Sequence, residues 1–223
     1  MHPDPFSDPG DDGQEPDNCL PPAGPDAEPE QQGLFLCLPA GSLDTDQFTQ
    51  SGPASDMPPD PLLATIVDTV TGEDGKGLTG LSDDQLVGVI AAGRRLESRG
   101  SWYVMAAVAE FTARNTGEGC VEEFAADQLA HELHLTVASA TAQMDYASSV
   151  SGRLPATFAA LHAGTIHPVH VRIIEEETRI LSAEDAAKAD AVLAEVAGSL
   201  TFGKLRSTAH RLVLELDPRP VLP

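Results

Sequence analysis

From Ser82 to Asp217 the chain is a succession of helix start and stop signals, and between them apolar residues recur at a helical period. Ser82 precedes Asp83 and Asp84, which suit the positive end of a helix, and Gln85 stands at the third position, as a capping box requires. Leu86, Val89, Ile90, Gly93 and Leu96 follow at helical spacing, and the pattern resumes through Tyr103, Ala106 and Ala107. Carried to Asn115, where Asn115 and Gly117 end it, this helix spans about 50 Å, with Gly100 as the expected kink.

Further helices are predicted on both sides. Pro61 to Val70 is a short one, stopped by Gly72 and the Gly75/Gly77 loop. Phe124 to Leu133 is amphipathic. Thr136 caps the next, which carries Val137, Ala140, Met144 and Ala147 on one face and breaks at Gly152. Pro155 opens a helix ending at Gly164, and Pro168 opens one reaching Leu181. Ser182 starts an alanine-rich helix ending near Gly198, and Thr201 caps a last one to Leu216. No stretch alternates apolar and polar residues with β-branched enrichment, so the predicted class is all-α: an irregular multi-helix bundle with one long helix.

Charge divides the chain. The first 80 residues hold 16 of the 35 acids but only Lys76 of the 13 Lys and Arg, and prolines cluster at Pro21-Pro22 and Pro58-Pro59. Such a segment buries too little apolar surface to offset its ordering entropy. Residues 1–57 are therefore expected to form a disordered acidic tail, 58–217 a helical domain and 218–223 a short tail. The one apolar patch of the tail, Leu34 to Leu38, is far shorter than the roughly 20 residues that cross a bilayer, and no basic segment precedes it as in a signal peptide. A soluble, cytoplasmic protein without membrane contact is expected. Cys19, Cys37 and Cys120 are odd in number and lack a C-x-x-C spacing, which argues against a disulfide framework or a zinc site.

Several motifs bear on chemistry. His131-Glu132-Leu133-His134 approaches the metalloprotease H-E-x-x-H helix, but Leu135 stands where the second histidine belongs. His167 and His170 flank Pro168 at a helix start, where capping or surface roles are expected. No histidine follows a glutamate at the third position, as a carboxylate-bridged metal bundle requires. The Ala126–Ala147 stretch has a helix-turn-helix layout, yet its second helix has no Lys or Arg and only Gln143 as an amide. Arg94, Arg95 and Arg99 read as a charged helix surface. Lys204, Arg206, His210 and Arg211 on the last helix are the best placed for phosphate, although a net charge of −22 opposes DNA at long range. No catalytic residue, metal ligand or cofactor is predicted.

Two groups of motifs carry a family resemblance. The first is Leu81-Ser-Asp-Asp-Gln-Leu86, Gly93-Arg-Arg-Leu-Glu-Ser98 and Ala106-Ala-Val-Ala-Glu110. The second is Arg153-Leu-Pro-Ala-Thr157, Leu161-His-Ala-Gly-Thr-Ile166, Glu175-Glu-Glu-Thr178 and Leu200-Thr-Phe-Gly-Lys-Leu205, before Leu216-Asp-Pro218. In this order they resemble the actinobacterial proteins of domain of unknown function 222, the HNH endonuclease-associated repeat proteins. The resemblance implies a helical domain followed by an arginine-rich helical continuation and a C-terminal HNH nuclease. The HNH motif has no match here, so the expectation is a non-catalytic accessory domain with an interaction or positioning role. The alternative is a nucleic-acid-binding module using the basic last helix. The expected partners are a second copy or a longer paralogue, because Leu205, Leu212, Val213 and Leu216 form an apolar stripe that the missing continuation would cover.

Overall fold

The computed structural model describes residues 45–117, 120–121 and 123–217. The tails 1–44 and 218–223 lie outside the described residues, and with them Leu34 to Leu38, Cys19 and Cys37. Among the described residues there are eight α-helices: α1 Pro61–Thr71, α2 Asp83–Arg114, α3 Glu123–Glu132, α4 Val137–Arg153, α5 Pro155–Ala163, α6 Pro168–Thr178, α7 Ala183–Ala197 and α8 Phe202–Leu216. The chain is all-α, as predicted. The only pairing of strands among these residues is a two-residue antiparallel ladder, Thr116–Gly117 with Cys120–Val121.

Three of the predicted side-chain caps organise helix starts, whereas Thr201, predicted to cap α8, makes no side-chain cap bond. Ser82 Oγ accepts from Gln85 N–H at 3.3 Å, while Gln85 Oε1 accepts from Ser82 N–H at 2.8 Å, closing the capping box of α2. Thr136 and Ser182 accept from Ser139 N–H and Asp185 N–H at the starts of α4 and α7. The long helix runs unbroken through Gly100 as predicted, but the expected break at Gly152 does not occur, and α4 passes it to end at Arg153. The terminator of α4 is Leu154-Pro155, because the residue before proline is pushed out of the helical region.

The helix α2 serves two cores. Its first half packs Val89 and Ala92 with Leu63, Ile66 and Val70 of α1, together with Phe48 and Ala54. Its second half contributes Met105 and Val108 to the main core, built with Met144, Val150, Leu161, Val171, Ile174, Leu193, Leu205 and Val213 from α4 to α8.

Residues 45–55, expected to belong to the disordered acidic tail, are instead packed on the helical domain. Short 3-10 turns at Thr45–Phe48 and Pro53–Ser55 lie against α2, and Phe48 and Ala54 are each only 1% exposed. Backbone contacts explain this. A Cβ at position 88 would lie 1.8 Å from the Phe48 carbonyl oxygen, so only glycine lets the chain approach there. Asp84 accepts from Gln50 N–H, and the Arg95 guanidinium donates to the Ala54 and Ser55 carbonyls.

A second correction concerns α8. Its stripe was expected to lie open, but Leu205, Ala209 and Val213 are buried against α6 and α7, and Leu212 and Leu216 pack at the edge of the same core.

The nine-residue helix α5 lies among α2, α4, α6 and α7. Its N-cap, Leu154, has no side chain able to cap. Asp190 of α7 substitutes, accepting from Ala156 N–H at 2.6 Å and Thr157 N–H at 3.0 Å while 1% exposed. At the other end Gly164 adopts φ +73°, and Arg99 of α2 donates to His162 O at 2.8 Å.

Two outcomes are expected. Asp190→Ala removes a charged acceptor from two buried N–H groups and costs about 2–4 kcal/mol in urea unfolding. An effect under about 0.5 kcal/mol would rule out the capping role. Gly88→Ala costs about 1–3 kcal/mol and opens Thr45–Ser55 to limited proteolysis before the rest of the domain; unchanged protection of that segment would count against the close approach.

Candidate binding groove

One face of α2 repeats at three and four residues: Glu97, Gly100, Ser101, Val104, Met105 and Val108. Opposite it, α4 presents Ser139, Ala142, Gln143, Tyr146 and Ala147 at the same spacing, with Leu135 just before the helix. Gly100, Ser101, Ser139 and Ala142 are too small to fill the space between the two helices. A largely apolar groove of about 790 Å³ results, and Pro168 and Arg172 from the start of α6 close one side. That volume lies in the range of ligand sites. Val104 and Leu135 are large apolar residues left 50% and 40% exposed along it.

The polar groups of the groove are few. Tyr146 is half-buried, and that desolvation pushes its hydroxyl up to about 12, against the opposing pull of Arg172. The Arg172 guanidinium sits 5.9 Å from the Tyr146 ring centroid, is exposed, and forms no ion pair among the described residues. Glu97 is already engaged. Arg94 donates to it at 3.0 Å, and His167 Nε2 lies 3.2 Å from its other oxygen, close but without good hydrogen-bond geometry. His167 first, then Arg94, holds the Glu97 carboxyl below the usual range.

The two histidines beside Pro168 do cap α6. His167 Nδ1 accepts from Val169 N–H at 3.2 Å, and His170 Nδ1 accepts from His167 N–H at 2.9 Å. Burial first, with His167 and Arg94 adding, keeps His170 below the usual histidine range. Phe202 of α8 lies 4.8 Å from the His170 ring centroid.

The residues predicted to face phosphate are divided. Arg206 donates to Glu176 at 2.8 Å and lies 3.6 Å from Glu177, and His210 Nδ1 is 3.3 Å from Glu177. Lys204 and Arg211 are exposed and make no ion pair among the described residues. The acids of α6 thus engage the Arg206/His210 face of α8, while Lys204 and Arg211 lie on another face of the helix. The α2 arginines are also not a simple solvated surface: Arg94 pairs with Glu97, while Arg95 and Arg99 hold backbone carbonyls of other elements. His131, Glu132 and His134 are exposed at the end of α3, and His134 takes φ 54° in the turn that follows. No cluster of three or more His, Cys, Asp or Glu able to hold a metal occurs among the described residues. Nor is any helix among them long and apolar enough to cross a membrane.

The groove escaped the sequence because its walls look like ordinary helix surface. The predicted α2 face included Tyr103 and Ala107, which are exposed; the buried positions are Met105, Val108 and Thr112. The available signal was the repetition of small residues at Gly100/Ser101 and Ser139/Ala142.

Compared with known proteins, residues 85–222 match the family model described as Domain of unknown function (DUF222). No curated protein and no solved structure matches the chain.

The raised Tyr146 hydroxyl has a consequence for stability. An unfolded tyrosine titrates near 10. Its contribution is intact below about pH 10 and is lost as pH rises toward about 12, because the unfolded phenol releases its proton first. In an alkaline absorbance titration the tyrosine step near 12 should disappear in Tyr146→Phe. A Tyr146 step near 10 in the folded protein would contradict its burial.

Proposed function

Because the chain belongs to the DUF222 family, whose description names no activity, we propose that it is a non-catalytic accessory domain that docks a partner in the α2–α4 groove. The role is interaction or positioning, in the cytoplasm, alongside an HNH endonuclease of the kind that the family resemblance implies. The observation that carries the reading is the groove itself: small residues on both helices, apolar walls, and Val104 and Leu135 left exposed beside it. Exposed apolar residues grouped around a concavity mark interaction sites, whereas isolated ones do not. A second copy of the chain or a longer paralogue is the partner class proposed.

A second reading, nucleic-acid binding by α8, draws on Lys204 and Arg211, the two cations there without an acidic partner among the described residues. It is weaker, because Arg206 and His210 are engaged by α6. Two free cations neutralise few phosphates.

The two readings separate experimentally. A photo-crosslinking residue at position 142 is expected to give a discrete adduct in cells, and one at position 195, exposed on α7, is not. Equal yields from both positions, or none from position 142, would refute docking in the groove. A mobility shift of DNA that weakens with salt and is lost in Lys204→Ala/Arg211→Ala would favour the second reading.

A further inference from the structure

The helix α6 begins differently from its neighbours. Asp60, Ser82, Thr136 and Ser182 cap α1, α2, α4 and α7 with carboxylate or hydroxyl oxygens. At α6 both acceptors are imidazole Nδ1 atoms, those of His167 and His170. A neutral imidazole accepts at one nitrogen and donates at the other. Because His170 Nδ1 accepts from His167 N–H, its proton is on Nε2, which is directed to the Leu200 carbonyl in the α7–α8 loop. His170 thus ties the start of α6 to that loop, and His167 beside it faces Glu97 of α2.

We infer that the start of α6 is an acid-releasable joint: protonation of His170 removes the lone pair that holds His167 N–H and loosens α6 from α2 at the edge of the groove. A second proton on His170 would set an N–H against an N–H and place positive charge at a helix N-terminus, where the dipole opposes it. The surroundings reinforce this. Arg94 of α2 and the neighbouring His167 both disfavour a cation at His170, α8 contributes the uncharged Phe202 ring, and the Leu200 carbonyl alone favours it. The carboxylate of Glu97 faces His167 and is shared with Arg94. Loss of the cap frees His167 and Pro168, and Pro168 lines the groove with Glu97.

The sign follows from linkage. Unfolded histidine titrates near 6.5, and burial keeps folded His170 below that. Between the two values the unfolded chain binds the extra proton, so stability is complete above about pH 6.5 and declines as pH falls below it. The joint opens once pH passes below the folded value. It does so whether or not the groove has an occupant, so failure of the docking proposal leaves this one standing.

The test is hydrogen exchange of the full chain at about pH 7.5 and about one pH unit below the midpoint at which the wild-type His170 ring resonances titrate, corrected for intrinsic rates. Expected is a loss of protection of at least about ten-fold at the His167 amide, the one held by the His170 ring, with the Leu161 and Leu193 amides unchanged. His170→Gln copies Gln85 in the α2 capping box, an acceptor that does not titrate, and should abolish the loss. Retained protection in the wild type at the lower pH would overturn the inference. So would an equal loss in His170→Gln, or a loss shared by Leu161 and Leu193. Should that variant not fold, the wild-type His170 ring resonances decide: their midpoint must coincide with the loss of protection, and a different midpoint refutes the joint.

Discussion

The contact between Asp190 and the first turn of α5 is the constraint on which the main core rests. A nine-residue helix is too short to persist alone in water, so its free N–H groups need partners from elsewhere in the fold. Leu154 cannot supply them, since it is itself buried in the core. Equally, a carboxylate at 1% exposure would be very costly without donors. Each group therefore requires the other, and the requirement fixes α7 against α5. Arg99 completes the same logic at the far end, presenting a cation to the carbonyl end of α5 while its guanidinium lies over Trp102 and Tyr103.

With α5 fixed at both ends, the motif Arg153-Leu-Pro-Ala-Thr157 acquires a physical meaning at each position. Arg153 donates to the carbonyls of Thr178, the last residue of α6, and of Leu181 just beyond it, Leu154 fills the core, Pro155 ends α4 and opens α5, and the next two N–H groups reach Asp190. Three helices are oriented by five consecutive residues. In the same way Leu161 and Ile166 are buried around Gly164, whose positive φ turns the chain from α5 toward α6.

Local signals were legible in the sequence, and pairings across the chain were not. Ser82 with Gln85, Pro155, Gly164 and Pro168 each act within one turn of their own position, so helix starts and most ends followed from them. The limits of local reading appear at Phe48: a single aromatic in a polar, acidic stretch has no periodic context, and its burial depends on Gly88, forty residues away. The α8 stripe was recognised as apolar, but its cover lies in α6 and α7. The groove was invisible for the opposite reason, since what defines it is missing bulk on two separate helices.

The run Glu175-Glu176-Glu177 explains why the groove, and not the basic face of α8, is the better candidate. Successive helix residues point in different directions, so three adjacent acids serve three surroundings. Glu175 turns inward and accepts from Nε and Nη2 of Arg179 and from the hydroxyl of Ser149. Glu176 and Glu177 face α8 and take Arg206 and His210. These exposed pairs add little stability. Their larger effect is on the surface potential, because two of the four cationic positions of α8 in the linear sequence, Arg206 and His210, have carboxylates beside them once the chain folds. A phosphate approaching Arg206 and His210 must compete with those acids, in a body that is already negative, and only Lys204 and Arg211 are left to it. A partner entering the groove meets no comparable competitor, since Arg172 carries no ion pair among the described residues and the remaining lining is mostly apolar.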